Sequence, residues 1–372
     1  MSLEDLRKRL SALDAALIEL IAQRQEIVSE VSAHKISTGA PTRDYARERE
    51  ILERVRMQAT ELGAEPDVAE HVMRLLIRSS LTKQEQTRVA AESSGEGKRA
   101  LIIGGAGKMG IWIAEFLASQ GYGIEIADPT PSGAPFPQIE DWRESALDHD
   151  IIVVAAPLKA TASILEALAE RKPSGLIFDV GSLKTPLKAG LEKLRESGCR
   201  VASLHPMFGP DTQLLSGRHI IFIDVGDPES TDQARALFVS TMAELVDMTL
   251  DEHDRLIGYV LGLSHALNLA FFTALAGSGE LVPKLKQLSS TTFDAQLSVA
   301  SRVASENPHL YFEIQALNEY GDVSLDALVE AAQQIRDLIC NNDEAGFVSL
   351  MEAGRSYLQG DSAPSRKEDE VS

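Results

Sequence analysis

The sequence has few cysteines and no long apolar run, and both absences narrow the class of protein. Of its 372 residues only Cys199 and Cys340 are cysteines. Two isolated thiols form neither a disulfide framework nor the spacing of a metal site, which is typical of reduced cytosolic proteins. No apolar run reaches the ~20 residues of a membrane span, and the first residues lack the basic and apolar regions of a signal peptide. We therefore expect a cytoplasmic protein with no metal ion and no membrane partner.

Positive charge is also scarce. The chain has 36 Lys and Arg residues against 56 Asp and Glu residues, a net charge of −20. This excess of negative charge argues against nucleic acid as a partner, because phosphate backbones are bound by basic surfaces. The imbalance is uneven, since residues 1–100 hold 16 basic and 17 acidic residues and the remainder hold 20 and 39. An anionic ligand must therefore be held by individually placed cations.

Residues 1–92 predict an all-helical domain of three helices, the first from about Leu3 to Lys35. Its apolar residues recur at alternating spacings of three and four, which is typical of a helix-packing seam. Such a helix is ~50 Å long at 1.5 Å per residue. This is too long for so small a domain to cover alone, so a partner chain is expected. The seam consists of Leu3, Leu6, Leu10, Leu13, Leu17, Leu20, Ile27 and Val31, with Arg24 in register among them.

Arg24 departs from the apolar character of this seam. A buried arginine needs a partner, and no acidic residue occupies a neighbouring seam position. Arg24 therefore either specifies the register of packed helices or holds an anionic ligand. Lys35 lies eleven residues later, close to three helical turns, and shares its face.

These positions, together with those of the predicted helices at 44–62 and 67–91, resemble the all-helical chorismate mutases over about residues 3–90. The resemblance implies an intertwined dimer that rearranges chorismate to prephenate. That reaction requires a dicarboxylate held in a compact conformer and charge stabilised on the breaking ether oxygen. The resemblance places Arg24, Ser80 and Arg7 of the partner subunit on the carboxylates, Lys35 and Gln84 on the ether oxygen, and Glu48, Asp44 and Arg47 at the ring hydroxyl.

A glycine-rich turn at 105–110 indicates a dinucleotide site. It follows the apolar run 99–103 and opens an apolar helical stretch, and Asp128 ends the next apolar run. Gly105 is expected to allow the tight turn and Gly107 the approach of the pyrophosphate, while Gly110 lets the helix pack. The helix start offers N–H groups to phosphate. Asp128 accepts hydrogen bonds from a ribose 2′-hydroxyl, so NAD is favoured over NADP. The predicted cofactor-binding residues are Gly105, Gly107, Lys108, Met109, Gly110 and Asp128.

Alternating strands and helices predict an α/β Rossmann domain with a parallel sheet at residues 98–250. The apolar runs 151–157 and 175–180 are typical of strands buried on both faces. A strand at 199–204 is expected to end directly at His205, on the carboxyl edge where ligands bind. Ser182 and Lys184 follow the preceding strand and bring a hydroxyl and a cation to that edge. Residues 92–97 predict a flexible linker, 251–360 an all-α domain, and 361–372 a disordered tail.

The motif His-Pro-Met-Phe-Gly-Pro at 205–210 and the pair Ser301-Arg302 resemble prephenate dehydrogenases over about residues 98–358. The resemblance implies that His205 polarises the ring hydroxyl of prephenate while hydride passes to NAD⁺. It places Ser182 near His205 and the nicotinamide, and Arg302 on a substrate carboxylate, with Lys184 a further substrate-binding residue. His253 and His265 are weaker candidates. The final helical domain is implied to be a dimerisation domain.

The two resemblances share an intermediate, because the product of the first reaction is the substrate of the second. They imply a homodimeric bifunctional enzyme of tyrosine biosynthesis that forms 4-hydroxyphenylpyruvate, CO₂ and NADH, with tyrosine as a feedback inhibitor. Two alternatives stay open. The second substrate is arogenate instead of prephenate, or the chain is a non-catalytic NAD-sensing protein with a helical dimerisation arm.

Overall fold

The computed structural model describes residues 2–360. The chain divides after His253 into two compact units. The first unit contains a helical module at residues 2–92 and a sheet module at residues 98–253, and residues 254–360 are called the C-terminal unit. The tail predicted at 361–372 lies outside the described residues.

The helical module consists of α1 (Leu3–Thr38), α2 (Tyr45–Glu61) and α3 (Pro66–Ala91). Local signals explain its boundaries. Ser2 and Asp5 form a capping box at the start of α1, and Gly39 ends the helix in the left-handed region at φ 66°. Asp44 caps α2 by accepting a hydrogen bond from the backbone N–H of Arg47. These are the ordinary start and stop signals of helices, so the three predicted helices form within a few residues of their expected ends.

The apolar seam of α1 is exposed. Its leucines are between 44% and 67% accessible, and Ile27 is 60% accessible. Only Ser32 is buried among the described residues of this helix, whereas α3 buries six residues. A row of exposed leucines along 36 residues is unusual for a surface that remains in water. Within residues 2–360, therefore, no element covers the seam.

The connection between the two modules is ordered and differs from the predicted flexible linker. Gly95 is buried, and its backbone N–H donates to Gln120 O at 3.0 Å. A Cβ at this position would lie 2.3 Å from the Tyr122 ring. Glycine therefore lets the segment pack against the sheet module, which the composition of the segment did not reveal.

The sheet module is an eight-stranded sheet in the order β3-β2-β1-β4-β5-β6-β7-β8. Residues of β1, β4 and β5 are almost entirely buried, as expected for strands covered on both faces. The strands are β1 (Arg99–Ile103), β2 (Gly123–Ala127), β3 (Gln138–Ile139), β4 (Ile151–Val154), β5 (Leu176–Asp179), β6 (Arg200–Pro206), β7 (His219–Ile223) and β8 (Glu244–Met248). The helices are α4 (Lys108–Ser119), α5 (Leu158–Arg171), α6 (Lys188–Glu196) and α7 (Pro228–Ala236).

The sheet is parallel except at one pair, β6 with β7, which is antiparallel. β6 pairs with β5 only as far as Ser203, opposite Asp179, and then continues alongside β7. His205 therefore lies inside β6, opposite Ile221, instead of after the strand as predicted. It nevertheless extends beyond the end of β5 and so occupies the carboxyl edge of the parallel sheet.

The C-terminal unit is helical. Its first helix begins as α8 within the sheet module and continues through a π-helical stretch at Gly258–Leu263. Among the described residues one helix, Leu250–Gly277, is long and apolar enough to cross a membrane by length and composition alone, which is weak evidence. The helices are α8 (Leu250–Ile257), α9 (Ser264–Gly277), α10 (Val282–Gln287), α11 (Thr291–Ala304), α12 (Pro308–Ala316), α13 (Gly321–Cys340) and α14 (Glu344–Leu358).

Candidate functional site

Arg24 lies between α1 and α3 in the helical module. Its Nη1 donates to Leu76 O at 3.1 Å and to the Ser80 hydroxyl. Burial lowers the pKa of Arg24, and no carboxylate of the described residues pairs with it. Ser80 is buried at 6% accessibility. A partly desolvated guanidinium with only neutral oxygen partners retains attraction for an anion.

Lys35 and Gln84 bring two further polar groups to this module. The Lys35 ammonium donates to Thr42 O at 2.6 Å, in the connection between α1 and α2. Gln84 is 8% accessible, and its Oε1 has no hydrogen-bond partner among the described residues. A buried amide oxygen without a partner is costly in a native fold and is typical of ligand sites.

Glu48 is held by Arg43, a residue to which the sequence analysis assigned no role. Arg43 donates from Nε and Nη2 to the two Glu48 oxygens at 2.8 and 2.9 Å, a bidentate pair. Asp44 and Arg47, predicted to lie with Glu48 at the ring hydroxyl, make other contacts in this structure. Asp44 caps α2, and Arg47 is exposed and donates to Glu50 at 2.7 Å. Arg43 directly precedes Asp44, so a basic residue at the start of α2 was the available signal.

Arg7 is exposed on α1, as are the seam leucines. It lies seventeen residues before Arg24 on the same helix, about 25 Å away along the axis at 1.5 Å per residue. Within one chain Arg7 therefore cannot reach a ligand held by Arg24.

The glycine turn joins β1 to α4 as predicted, but the residue with the left-handed backbone conformation is the glycine before Gly105. Gly104, at φ 81°, occupies the left-handed region, whereas Gly105 does not. Gly105 is required for packing, because a Cβ there would lie 2.6 Å from Ile126. At Gly110 a Cβ would lie 2.4 Å from Gly104 O, so this residue permits the close approach of helix and turn.

The start of α4 is suited to phosphate. Gly107 is its N-cap residue and is exposed, and no side chain caps the helix. Lys108 is also exposed, whereas Met109 packs against the core. The uncapped N–H groups and the positive end of the helix dipole form an anion site.

Asp128 follows β2 beside this turn. Its carboxylate accepts hydrogen bonds from Ala106 N at 3.1 Å and Thr130 N at 2.8 Å. Each oxygen can accept a further hydrogen bond. A half-buried carboxylate at this place fits the ribose hydroxyls of NAD, and its negative charge disfavours a 2′-phosphate.

His205 and His253 form a buried pair at the carboxyl edge of the sheet. His205 Nδ1 lies 2.9 Å from His253 Nε2, and the two side chains are 5% and 0% accessible. Burial lowers the pKa of His205 well below its ordinary value, and His253 and Lys184 add to this effect. His205 is therefore neutral at neutral pH. If Nδ1 carries its proton and donates to His253, Nε2 is an acceptor.

Lys184, predicted to bind the substrate, has a fully buried side chain. It donates to Asp179 Oδ1 at 2.6 Å and to Leu204 O at 2.7 Å. Lys184 thus ties the end of β5 to the residue before His205. Ser182, between these elements, has a buried Oγ without a hydrogen-bond partner among the described residues.

Arg302 belongs to the C-terminal unit, on α11, and is exposed. In the same unit His265 stacks on Tyr311 with ring centroids 4.0 Å apart. Burial lowers the pKa of His265 and raises that of Tyr311. Both rings therefore remain neutral near pH 7. No cluster of His, Cys, Asp and Glu suited to a metal ion occurs within residues 2–360.

Three family models match successive parts of the chain. Residues 6–85 match chorismate mutase type II. Residues 128–246 match the nucleotide-binding domain of prephenate dehydrogenase, and residues 249–353 match its dimerization domain. The first match covers the site around Arg24, and the second covers His205.

Two known proteins match this chain over most of its length. The T-protein of Haemophilus influenzae is 29% identical over 96% of this chain and 92% of its own length. The T-protein of Enterobacter agglomerans is 27% identical over 92% of this chain and 90% of its own length. In fold, the chain resembles the A. aeolicus prephenate dehydrogenase solved with hydroxyphenyl propionate and NAD⁺ (TM-score 0.56, 19% identity, 72% of this chain and 99% of that one). The chain therefore belongs to the family of bifunctional enzymes in which a chorismate mutase domain precedes a prephenate dehydrogenase.

Proposed function

We propose that the chain catalyses two successive reactions at two sites, chorismate to prephenate in the helical module and prephenate to 4-hydroxyphenylpyruvate with NAD⁺ in the dehydrogenase part. The observation that carries the proposal is the contrast between the two sites. One offers a cation without a carboxylate partner among the described residues, and the other a neutral buried histidine at the carboxyl edge of a nucleotide-binding sheet. These are the groups that the two reactions require.

The mutase reaction is an intramolecular rearrangement without a nucleophile or a proton transfer. The protein must hold the substrate compactly and stabilise negative charge on the breaking ether oxygen. In the proposal Arg24 and Ser80 bind a carboxylate. Lys35 and the Gln84 amide donate to the ether oxygen, and Glu48, oriented by Arg43, accepts from the ring hydroxyl.

In the dehydrogenase reaction NAD⁺, when bound, would supply the acceptor for a hydride from the ring carbon that bears the hydroxyl. The residues that would hold it are the glycine turn, the start of α4 and Asp128. His205, neutral and oriented by His253, accepts a hydrogen bond from the ring hydroxyl at Nε2 and takes its proton. Loss of CO₂ makes the ring aromatic. Ser182 is assigned to the same site, and Arg302 to a substrate carboxylate.

A homodimer accounts for two exposed apolar surfaces. The α1 seam is uncovered, and so is most of the apolar helix Leu250–Gly277, of which 17% is buried in its most apolar window. We assign both to contacts with a second copy of the chain. In that dimer Arg7 of the partner subunit adds a second cation to the site of Arg24.

Tyrosine is proposed as a feedback inhibitor because it shares the phenol ring and three-carbon side chain of the dehydrogenase product. The cytoplasm is the proposed location, in keeping with the two free cysteines. Inhibition is measured as the loss of NADH formation on addition of tyrosine at fixed prephenate.

A spectrophotometric assay tests the proposed function. Chorismate absorbance should fall without NAD⁺, and NADH should appear when NAD⁺ is added. Prephenate and arogenate are then compared by kcat/KM, with the higher value expected for prephenate. A chain that binds NAD⁺ but turns over none of the three substrates is a sensor, and the proposal fails.

A further inference from the structure

The loop between β6 and β7, residues 207–218, belongs to the sheet module but contacts the helical module. It directly follows His205 and Pro206 of β6. The indole N–H of Trp112, on α4, donates to Thr212 O at 2.9 Å. The loop is therefore anchored to the helix that starts at the dinucleotide turn. We call it the bridging loop.

Two residues of the helical module hold the bridging loop from the other side. The Glu85 carboxylate accepts from Leu215 N at 2.8 Å and from Met242 N, which precedes β8. Arg43 Nη1 donates to the Ser216 hydroxyl at 2.6 Å. Glu85 directly follows Gln84 in α3, and Arg43 holds Glu48. Both contacts thus reach the neighbourhood of proposed mutase residues.

The geometry of Arg43 connects Ser216 to Glu48. Its Nε and Nη2 contact the two oxygens of Glu48, and its Nη1 contacts Ser216. The guanidinium lies 4.3 Å from the Tyr45 ring centroid and is 28% accessible. Because a guanidinium is planar and rigid, a hydrogen bond on one nitrogen restricts the direction of the others.

We propose that Ser216, supplied by the dehydrogenase part of the chain, is a positioning residue for the mutase reaction and acts through Arg43 on Glu48. The proposal rests on the role of Glu48 in the proposed function. The mutase site is then incomplete without the bridging loop.

Glu85 supports this inference because it shows that the contact is built into the fold. It is 3% accessible, burial raises its pKa, and two backbone N–H groups lower it. The pKa of Glu85 is raised overall, because burial outweighs the two hydrogen bonds, which offset part of the cost of desolvation. Here those bonds fix the backbone immediately before Ser216.

The test is Ser216→Ala in the full chain, assayed for both activities. We expect mutase kcat/KM to fall roughly 3- to 10-fold, the usual effect of one lost hydrogen bond. Oxidation of supplied prephenate should change less than about twofold. Ser216→Thr keeps the hydroxyl and should restore the mutase. Gln213→Ala, an exposed site on the same loop, is the matched control and should leave both activities unchanged.

A double-mutant cycle separates positioning from a general loss of stability. In an Arg43→Ala background, Ser216→Ala should cause no further loss of mutase activity. An equal loss in both backgrounds, or a normal mutase in Ser216→Ala, overturns the proposal. Glu48→Gln tests the proposed function separately. If Glu48→Gln retains full mutase activity, the proposed role of Glu48 is wrong. If Glu48→Gln loses mutase activity while Ser216→Ala keeps it, only the positioning role of Ser216 is rejected.

Discussion

The two sites handle charge in opposite ways. Around Arg24 the helical module keeps a cation partly exposed and bonded only to neutral oxygens. Around His205 the sheet module buries an imidazole so completely that its charged form is disfavoured. In the proposed function the first arrangement binds a dianion, and the second accepts a proton from a neutral hydroxyl. The depth of burial, as much as the residue type, therefore determines what each site can do.

In the proposed homodimer the two sites also differ in how much of each site one chain supplies. His205, His253, Ser182 and the dinucleotide turn all belong to the sheet module. The helical module exposes its longest apolar seam, and Arg7 lies on the same exposed helix. A sheet buries its central strands within one chain, whereas a single long helix cannot cover its own apolar face.

The largest expected effect comes from removing the neutral histidine. His205→Asn should lower dehydrogenase kcat roughly 10²- to 10⁴-fold, with mutase activity unchanged. In the wild type, kcat should fall as the pH drops through the lowered pKa of His205, hence below the range of ordinary histidines. Rates are measured against pH with saturating prephenate and NAD⁺. His219→Asn, at a half-exposed site, is the control, and an acid limb that persists in His205→Asn contradicts the assignment.

Removing the Arg24 guanidinium should lower the mutase activity and leave the dehydrogenase activity unchanged. Arg24→Ala should lower mutase kcat/KM by roughly 10²-fold, because a charge-assisted contact to the substrate is lost. Gln25→Ala, its exposed neighbour, should have little effect. The measurement is the loss of chorismate absorbance, with oxidation of supplied prephenate as the folding control. Near-normal turnover by the variant would mean that Arg24 specifies helix register instead.

Substitution of Asp128 should change the preference for NAD⁺ over NADP⁺ by a smaller factor than the two activity losses above. Asp128→Ala removes both an acceptor for the ribose hydroxyl and a repulsive charge, so the preference for NAD⁺ over NADP⁺ should narrow by about tenfold. Asp128→Asn separates the two contributions, because it removes the charge but keeps an acceptor. The ratio of kcat/KM values for the two cofactors is measured. An unchanged ratio excludes Asp128 as the ribose ligand, and Asp148→Ala serves as control.

The smallest effect concerns the buried ion pair beside His205. Removing Lys184 alone leaves Asp179 charged and buried, so the pair is replaced together as Lys184→Met with Asp179→Asn. Lys184 lowers the pKa of His205, so its removal should move the acid limb of dehydrogenase kcat to higher pH by less than about one unit. If the acid limb of dehydrogenase kcat moves to lower pH in this variant, Lys184 does not lower the pKa of His205.

Local features of this chain were predictable because their causes are local. Ser2 and Asp44 begin helices and Gly39 ends one, each through contacts with residues three or four positions away. The glycine turn was predictable for the same reason, although the left-handed residue is Gly104 and not Gly105. Spacing along a chain identifies a turn but does not specify which glycine carries its unusual φ.

Contacts between distant residues were not predictable from the sequence. The burial of Lys184 depends on the packing of β5 beside β6. β6 extends beyond the end of β5 because its last residues pair with the antiparallel strand β7. The contact between Arg43 and Glu48 was not predicted either. Arg43 and Arg47 are both close in sequence, and only the packed structure directs Arg47 to Glu50.

The sequence by itself determined the three helices of the first module, the dinucleotide turn with its acidic residue, and the residue types of both sites. Periodicity, caps and motif spacing suffice for these features because they act over a few residues. Only the tertiary structure decided which charges are paired, how deeply His205 is buried, and that Ser216 reaches Arg43 across 173 positions. Hydrogen bonding and desolvation depend on which atoms surround a group, and in a folded chain most of those atoms come from elsewhere in the sequence.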